Sequence, residues 1–351
     1  MEDLAKRFAD YLAARMPDAS DLDVSEFTRI PGGASRETYR ATVSYRKDGR
    51  EIRQGMILRR DPTSSLIDTE RELEYRAYVA MQNTDVPVPK PLFLEQDARW
   101  LDRAFFVMEE ISGCESGAAA IGQPPYDEHR EQLGRRKWAI LGHLASLDPT
   151  GLGLDDVMEV PALDQCAARE LAYWESVIDE DELSPQPIAR ATIRWLRRNL
   201  PAPAQKLAVV HGDYRIGNFL YDRAGEIRGI LDWEMCHLGD PLEDLAWSLD
   251  PLWCWPDKSL AGHLLPRSEA IDHWQRVSGL RFDPEAFRWW QVFAAFKGLA
   301  IWISSCRDYA DGEHKAPITA LAGWFMSDRH NRILLDYLSP HSEGRYTETI
   351  A

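Results

Sequence analysis

Two short stretches concentrate the residues able to do chemistry. The first reads Val209-Val-His-Gly-Asp-Tyr-Arg-Ile-Gly-Asn-Phe-Leu220 and the second Gly229-Ile-Leu-Asp-Trp-Glu234. Apolar runs lead into His211, Asp213 and Asn218 in one and into Asp232 in the other. An ionised carboxylate at the end of a buried strand is costly unless a partner or a metal meets it. Phosphoryl transfer uses such a set. One aspartate accepts the proton of the attacking hydroxyl, while an asparagine and a second aspartate hold Mg²⁺ against nucleotide phosphates. Asp213, Asn218 and Asp232 stand in that order and spacing. Magnesium takes oxygen ligands and keeps waters, so one carboxylate, one amide oxygen and phosphate oxygens suffice. The sequence offers no further histidine cluster at ligand spacing, which disfavours a metal-dependent hydrolase built on His211 and Asp213.

The surrounding elements follow from periodicity and turn residues. Residues 3–16 have helical spacing. Phe27–Ile30 and Thr38–Tyr45 are strand-like and flank the small-residue turn Pro31-Gly-Gly-Ala-Ser35. Lys47-Asp-Gly49 is a hairpin turn with Ile52–Arg59 as the returning strand. Thr69–Gln82 is helical, with Leu73, Ala77, Val79 and Ala80 on its apolar positions. The prolines of 86–91 keep that segment extended. Leu92–Glu95 and Ala104–Glu109 add two strands. From Gly113 the pattern turns helical over Asp127–Leu147, Leu163–Val177 and Ile188–Leu200. A β island interrupts at Lys206–Val210, Asn218–Asp222 and Ile227–Asp232, with Arg223-Ala-Gly-Glu226 as a turn. Beyond Asp240 lie tryptophan-rich helices. Most of those indoles belong to the core, with Trp253 and Trp255 as candidates for a pocket wall.

Composition sets outer limits. Of 351 residues, 44% are hydrophobic and 28% charged, which excludes a disordered or collagen-like chain. The net charge of −16 argues against nucleic acid and anionic lipid as partners. Five cysteines without a C-x-x-C pair fit a reducing compartment. The N-terminus lacks the apolar core of a signal peptide. The most apolar stretch, Val292–Ile303, is too short to span a bilayer and is broken by Lys297. A soluble, cytoplasmic protein is expected. No feature of the sequence sets an oligomeric state.

His-Gly-Asp-x-x-x-x-Asn at His211–Asn218, Ile-Leu-Asp-Trp-Glu at Ile230–Glu234 and Gly-Asp-Pro-x-x-Asp-Leu-Ala at Gly239–Ala246 occur together, in order. This set resembles the aminoglycoside phosphotransferase family of the protein-kinase-like superfamily. The resemblance extends over most of residues 25–330. It implies an α+β, bilobal fold: a small β-rich N-lobe at 1–110 that holds nucleotide, and a larger helical C-lobe at 111–351 for catalysis and substrate. By the same resemblance Asp213 is the catalytic base, and Asn218 and Asp232 are the Mg²⁺ ligands. His211 braces the loop, and Asp240 and Asp244 serve as caps or structural hydrogen-bond acceptors.

The remaining roles are implied in the same way. Gly32, Gly33 and Ser35 fall where the family places its phosphate-covering loop. Arg59 stands where a lysine would grip the α- and β-phosphates, with Glu74 as its partner. An arginine there departs from the antibiotic kinases and resembles the phosphotransferase domains fused to acyl-CoA dehydrogenases. Arg60 is expected to point away into solvent. The backbone of Glu109 and Ile111 would meet adenine, with Met108 beneath. The implied activity is ATP- and Mg²⁺-dependent transfer of a γ-phosphoryl group to the hydroxyl of a small molecule. The alternatives are a kinase of a hydroxyacyl-CoA or other non-antibiotic metabolite, and a nucleotide-binding pseudokinase that regulates a partner. The acidic run Asp179–Glu182 would suit a cationic acceptor if it faced the site, although such a run is usually a solvated loop. Arg194, Arg197 and Arg198 would suit the phosphates of a thioester.

Overall fold

A computed structural model describes residues 2–30, 37–61, 71–254, 257–312 and 317–339. Gly32, Gly33, Ser35 and Trp255 lie outside the described residues. The chain divides into two compact units, Met1–Cys114 and Glu115–Ala351.

The first unit is built on α1 (Glu2–Arg15), β1 (Ser20–Arg29), β2 (Glu37–Lys47), β3 (Arg50–Arg60), α2 (Arg71–Met81), β4 (Pro91–Glu95) and β5 (Phe105–Glu109). The strands form one antiparallel sheet in the order β1-β2-β3-β5-β4. Asp48 and Gly49 both take left-handed backbone, at φ 51° and 73°, which matches the twist of the β2–β3 hairpin. β1 begins well before the expected Phe27. Register shifts at Ser20/Asp23 and Ser25/Thr28, with left-handed Asp21 and Glu26, mark bulges. Bulges erase the alternation by which a strand is read from sequence. Successive residues of β5 serve opposite faces, as a strand requires. The Phe105 ring lies 4.8 Å from Tyr11 of α1, whereas Phe106 lies 5.9 Å from Tyr78 of α2. Arg60 is not solvated. It donates to Glu37 at 2.9 Å and to the Leu101 carbonyl at 3.1 Å, and covers the Tyr39 ring.

The second unit opens with β6 (Glu115–Ser116) and the helices α3 (Arg130–Ser146), α4 (Cys166–Asp181) and α5 (Pro187–Arg198). Its β island comprises β7 (Ala208–Val210), β8 (Phe219–Tyr221), β9 (Ile227–Ile230) and β10 (His237–Gly239). There follow α6 (Leu242–Ser248), α7 (Arg267–Ser278), α8 (Pro284–Asp311) and α9 (Pro317–Leu338). β7 pairs with β10, and β8 sits between β6 and β9. α8 is the central helix. Trp289, Trp290, Phe293 and Phe296 are buried on it, and Lys297 is buried among them. The acidic run 179–182 is not a solvated loop. It closes α4, with Asp179 and Glu182 paired to Arg190 of α5 and Asp181 bonded to Ser304 of α8. Arg197 is likewise committed to Glu175. Among the described residues no helix is long and apolar enough to cross a membrane.

Phe8, Tyr11 and Leu12 put α1 inside the core of the first unit, each with no exposed surface. Phe8→Ala should therefore cost about 3–5 kcal/mol, seen as a lower urea midpoint at unchanged slope. A midpoint within error of the parent would show that α1 is not integral to that core.

Candidate active site

The two chemical stretches meet through their backbones. β8 pairs with β9 so that Phe219 faces Ile230, and the Leu231 N–H then donates to the Asn218 carbonyl at 2.8 Å. Asp232 follows at once. It takes left-handed backbone, φ 69° and ψ 58°, unusual for a side-chain-bearing residue and concentrated at functional sites. His211 ties the stretches together. Its Nε2 lies 2.9 Å from the Leu231 carbonyl, and its Nδ1 accepts the Asp213 N–H at 3.1 Å. Nε2 therefore carries the proton and the ring is neutral. Burial pushes its pKa down to about 4. The ring rests 4.6 Å from Trp233.

Asp213 stands at the partly exposed end of this arrangement. Its Oδ2 accepts Asn218 Nδ2 at 2.7 Å, and its Oδ1 accepts Trp247 Nε1 at 2.8 Å. Arg215 Nε bridges both oxygens, at 3.0 and 3.1 Å. Asn218 Nδ2 also donates to the Asp213 carbonyl at 2.9 Å. Both amide protons of Asn218 are thus spent on Asp213, and its side-chain oxygen remains as a donor atom for a cation. Asn218 and Asp232 both offer oxygen atoms, chemistry that suits Mg²⁺ better than zinc.

A buried ionic brace holds the loop from behind. The Asp244 carboxylate accepts the N–H of His211 at 2.6 Å and of Gly212 at 3.0 Å. Gly212 has φ 84°, and a Cβ there would stand 2.4 Å from the Met235 carbonyl oxygen, so only glycine fits. Lys297 Nζ donates to the Gly212 carbonyl at 2.8 Å and to Glu243 Oε1 at 2.9 Å. Glu243 also receives His237 Nε2 at 3.1 Å, with Glu170 at 3.5 Å. Burial alone would lower the His237 pKa, yet the two carboxylates hold it near 9. Glu170, His237 and Glu243 are close enough to hold a metal. Lys297 and protonated His237 already pair with Glu243, while burial pushes the Glu170 pKa up, so the cluster is a closed network of its own groups. Burial raises the Asp240 and Asp244 pKa values to about 6. Asp240 accepts the Leu242 N–H at the start of α6 and the Trp290 N–H. These are the structural roles expected for both.

A cavity of about 300 Å³ lies in the second unit beside the loop, lined by Arg215, Ile216 and Gly217. Leu252, Trp253, Met326 and Ile333 supply apolar wall, and Lys258 and Arg329 add positive charge. His263 also lines it, with its pKa lowered by burial and by Arg130. No carboxylate is among the described lining residues.

In the first unit Arg59 and Glu74 form a buried ion pair at 3.2 Å. The Glu109 N–H is already donated to the Lys90 carbonyl, so only the Glu109 carbonyl could serve a base edge. Ile111 lies two residues past the end of β5.

Sequence reasoning left Trp247 to the core and did not reach Arg215, Glu170, His237 or Lys297 as parts of the site. The lysine that interrupts Val292–Ile303 was the available signal. A charge inside an apolar helix needs a buried partner.

This fold has relatives. A Ralstonia eutropha protein described as an aminoglycoside phosphotransferase superposes with a TM-score of 0.73 at 21% identity, covering 93% of this chain and 97% of that one. A thermostable mutant of aminoglycoside phosphotransferase APH(4)-Ia, in ternary complex with ADP and hygromycin B, gives 0.54 at 15% identity, covering 92% and 97%. The fold class is thus α+β and protein-kinase-like. The phosphotransferase enzyme family model matches residues 26–280, and the chain belongs to that family. Mouse acyl-CoA dehydrogenase family member 10 is 28% identical over 227 residues, which are 64% of this chain and 20% of that protein. The chain spans between 20% and 36% of the length of the curated relatives it matches.

The neutral His211 ring carries a pH signature. Its folded pKa, near 4, lies below the unfolded value of 6.5, so the unfolded chain binds the proton first. This contribution is intact above pH 6.5 and is lost as pH falls toward 4. By pH 5 the parent should lose about 2 kcal/mol through His211. His211→Gln should lose none of this, so the gap between the two unfolding free energies narrows by that amount from pH 7.5 to 5. A constant gap would mean that the imidazole is not held neutral.

Proposed function

We propose that the chain is an ATP- and Mg²⁺-dependent kinase of small-molecule hydroxyls. The single observation that carries this reading is the pairing of Asp213 with Asn218, with Asp232 delivered to the same loop by the β8–β9 register. Asp213 holds the acceptor hydroxyl and takes its proton as the oxygen attacks the γ-phosphorus. The new P–O bond forms, the β,γ-bridging P–O bond breaks, and the electron pair leaves with ADP. Asn218 and Asp232 would hold Mg²⁺, which neutralises charge on the phosphates when bound. Arg59, kept in place by Glu74, would grip the α- and β-phosphates. Gly32, Gly33 and Ser35 are assigned to the phosphate-covering loop, and Glu109 and Ile111 to adenine. Catalysis on this reading is chiefly positioning and electrostatics.

For the acceptor, the cavity beside the loop favours a non-antibiotic metabolite. A polycationic aminoglycoside would want carboxylates there, whereas the described lining is apolar and basic. A hydroxyacyl thioester, with an apolar chain and anionic groups, is the better match in chemistry. The similarity to acyl-CoA dehydrogenase family members points the same way.

ADP release should be followed across amino alcohols, aminoglycosides, sugars and hydroxyacyl-CoAs. Asp213→Ala should cut turnover on the best acceptor by about 10²–10⁴-fold, and Asp232→Ala should do so at least as severely. Both should melt within a few degrees of the parent. Near-parental turnover by either variant refutes the assignment. Nucleotide-induced melting shifts without ADP release from any acceptor would point to the pseudokinase instead. Separately, Arg59→Ala should weaken nucleotide binding while leaving acceptor binding unchanged, as read by titration calorimetry. Unchanged nucleotide affinity would remove Arg59 from the phosphate site.

A further inference from the structure

The Asp213 carboxylate is full. Each oxygen has two favourable acceptor directions, and each has two donors. Oδ1 takes Trp247 and Arg215, and Oδ2 takes Asn218 and Arg215. An acceptor hydroxyl needs one of those positions to hand over its proton. Trp247 and Asn218 cannot yield it, being 2% and 6% exposed and fixed within the core and the loop. Arg215 can. Its side chain is 32% exposed, its guanidinium lies 5.1 Å from the Trp253 ring centroid, and it lines the cavity. It folds back over Gly217, where any Cβ would collide with its Nη1. The charge-assisted bond to Asp213 is strong, so the guanidinium leaves only for another anion.

We infer that Arg215 is the specificity-determining residue of this site. An acceptor with an apolar body and a negative group enters the cavity and draws the guanidinium off Asp213, so that the base is bared when such an acceptor is present. Without one, Arg215 keeps Asp213 occupied and water is not phosphorylated. Lys258 and Arg329 also line this cavity. The inference rests on the kinase reading for its catalytic half. Its binding half rests on the cavity alone.

The test therefore has two arms. In the first, hexyl phosphate, hexanol and hexylammonium are titrated calorimetrically into the full chain without nucleotide. The parent should bind hexyl phosphate about ten-fold tighter than hexanol or more, and hexylammonium weakest. Arg215→Gln should erase the preference for phosphate, and Arg215→Lys should restore most of it. In the second arm, ADP release without acceptor should rise several-fold in Arg215→Gln, while KM for an anionic acceptor rises and KM for a neutral alcohol does not. Melting temperatures confirm that the variants are folded. Equal binding of the three probes by the parent overturns the inference. So does a Gln variant that loses affinity for phosphate and alcohol alike, or, where the parent releases ADP with an acceptor, one whose acceptor-free ADP release stays at the parental level. Arg215-dependent selection of hexyl phosphate in a chain that releases no ADP with any acceptor would support the anion selection and remove the kinase reading.

Discussion

The arrangement depends on one buried carboxylate. Asp244 takes the backbone N–H groups of His211 and Gly212, at the head of the turn that carries Asp213. A buried charge is normally a liability. Here two amide donors offset it directly, and Lys297 stands close by, on the Gly212 carbonyl. The loop is thereby gripped through its N–H groups on one side and its carbonyl on the other. A segment held by its backbone can present side chains without using them for its own support. Asp213 is left to face the reaction while Asp244, one helix away, does the holding.

The second layer explains why so many ionisable groups lie inside the helical unit. Glu243 joins Lys297 to His237, and His237 closes toward Glu170. Removing one member would strand its partners as buried, uncompensated charges. The network spans α4, β10, α6, α8 and the loop, so any displacement of the loop has to break ion pairs as well as backbone hydrogen bonds. Rigid support of this kind is what placement of a base needs, since small errors in approach are costly in rate.

Much of this was legible in the sequence, for reasons that differ by residue. The elements with clean periodicity, such as α1, β2 and β3, lie within a few residues of their expected bounds. The Asp213–Asn218 spacing and the return of Asp232 were visible because a hairpin with a short turn fixes register. β1 starts well before the strand-like Phe27–Ile30 because its bulges break alternation. Asp179–Glu182 has the composition of a solvated loop, yet it closes α4. Its partners Arg190 and Ser304 lie on other helices, and sequence distance conceals such contacts. Arg215 stands only two residues from Asp213, and spacing alone does not say that its side chain folds back onto that carboxylate. Its importance comes from which oxygens it occupies, and only the folded loop shows that.

The most direct test of the account is amide hydrogen exchange at His211 and Gly212 in the parent and in Asp244→Asn, read beside phosphoryl transfer by the same samples. The asparagine keeps one acceptor oxygen and turns a donor toward the other amide. Protection should fall at these two amides and turnover should fall with it, while the α8 amides stay protected. Unchanged protection at both positions, or full turnover despite its loss, would contradict the claim that this carboxylate sets the loop.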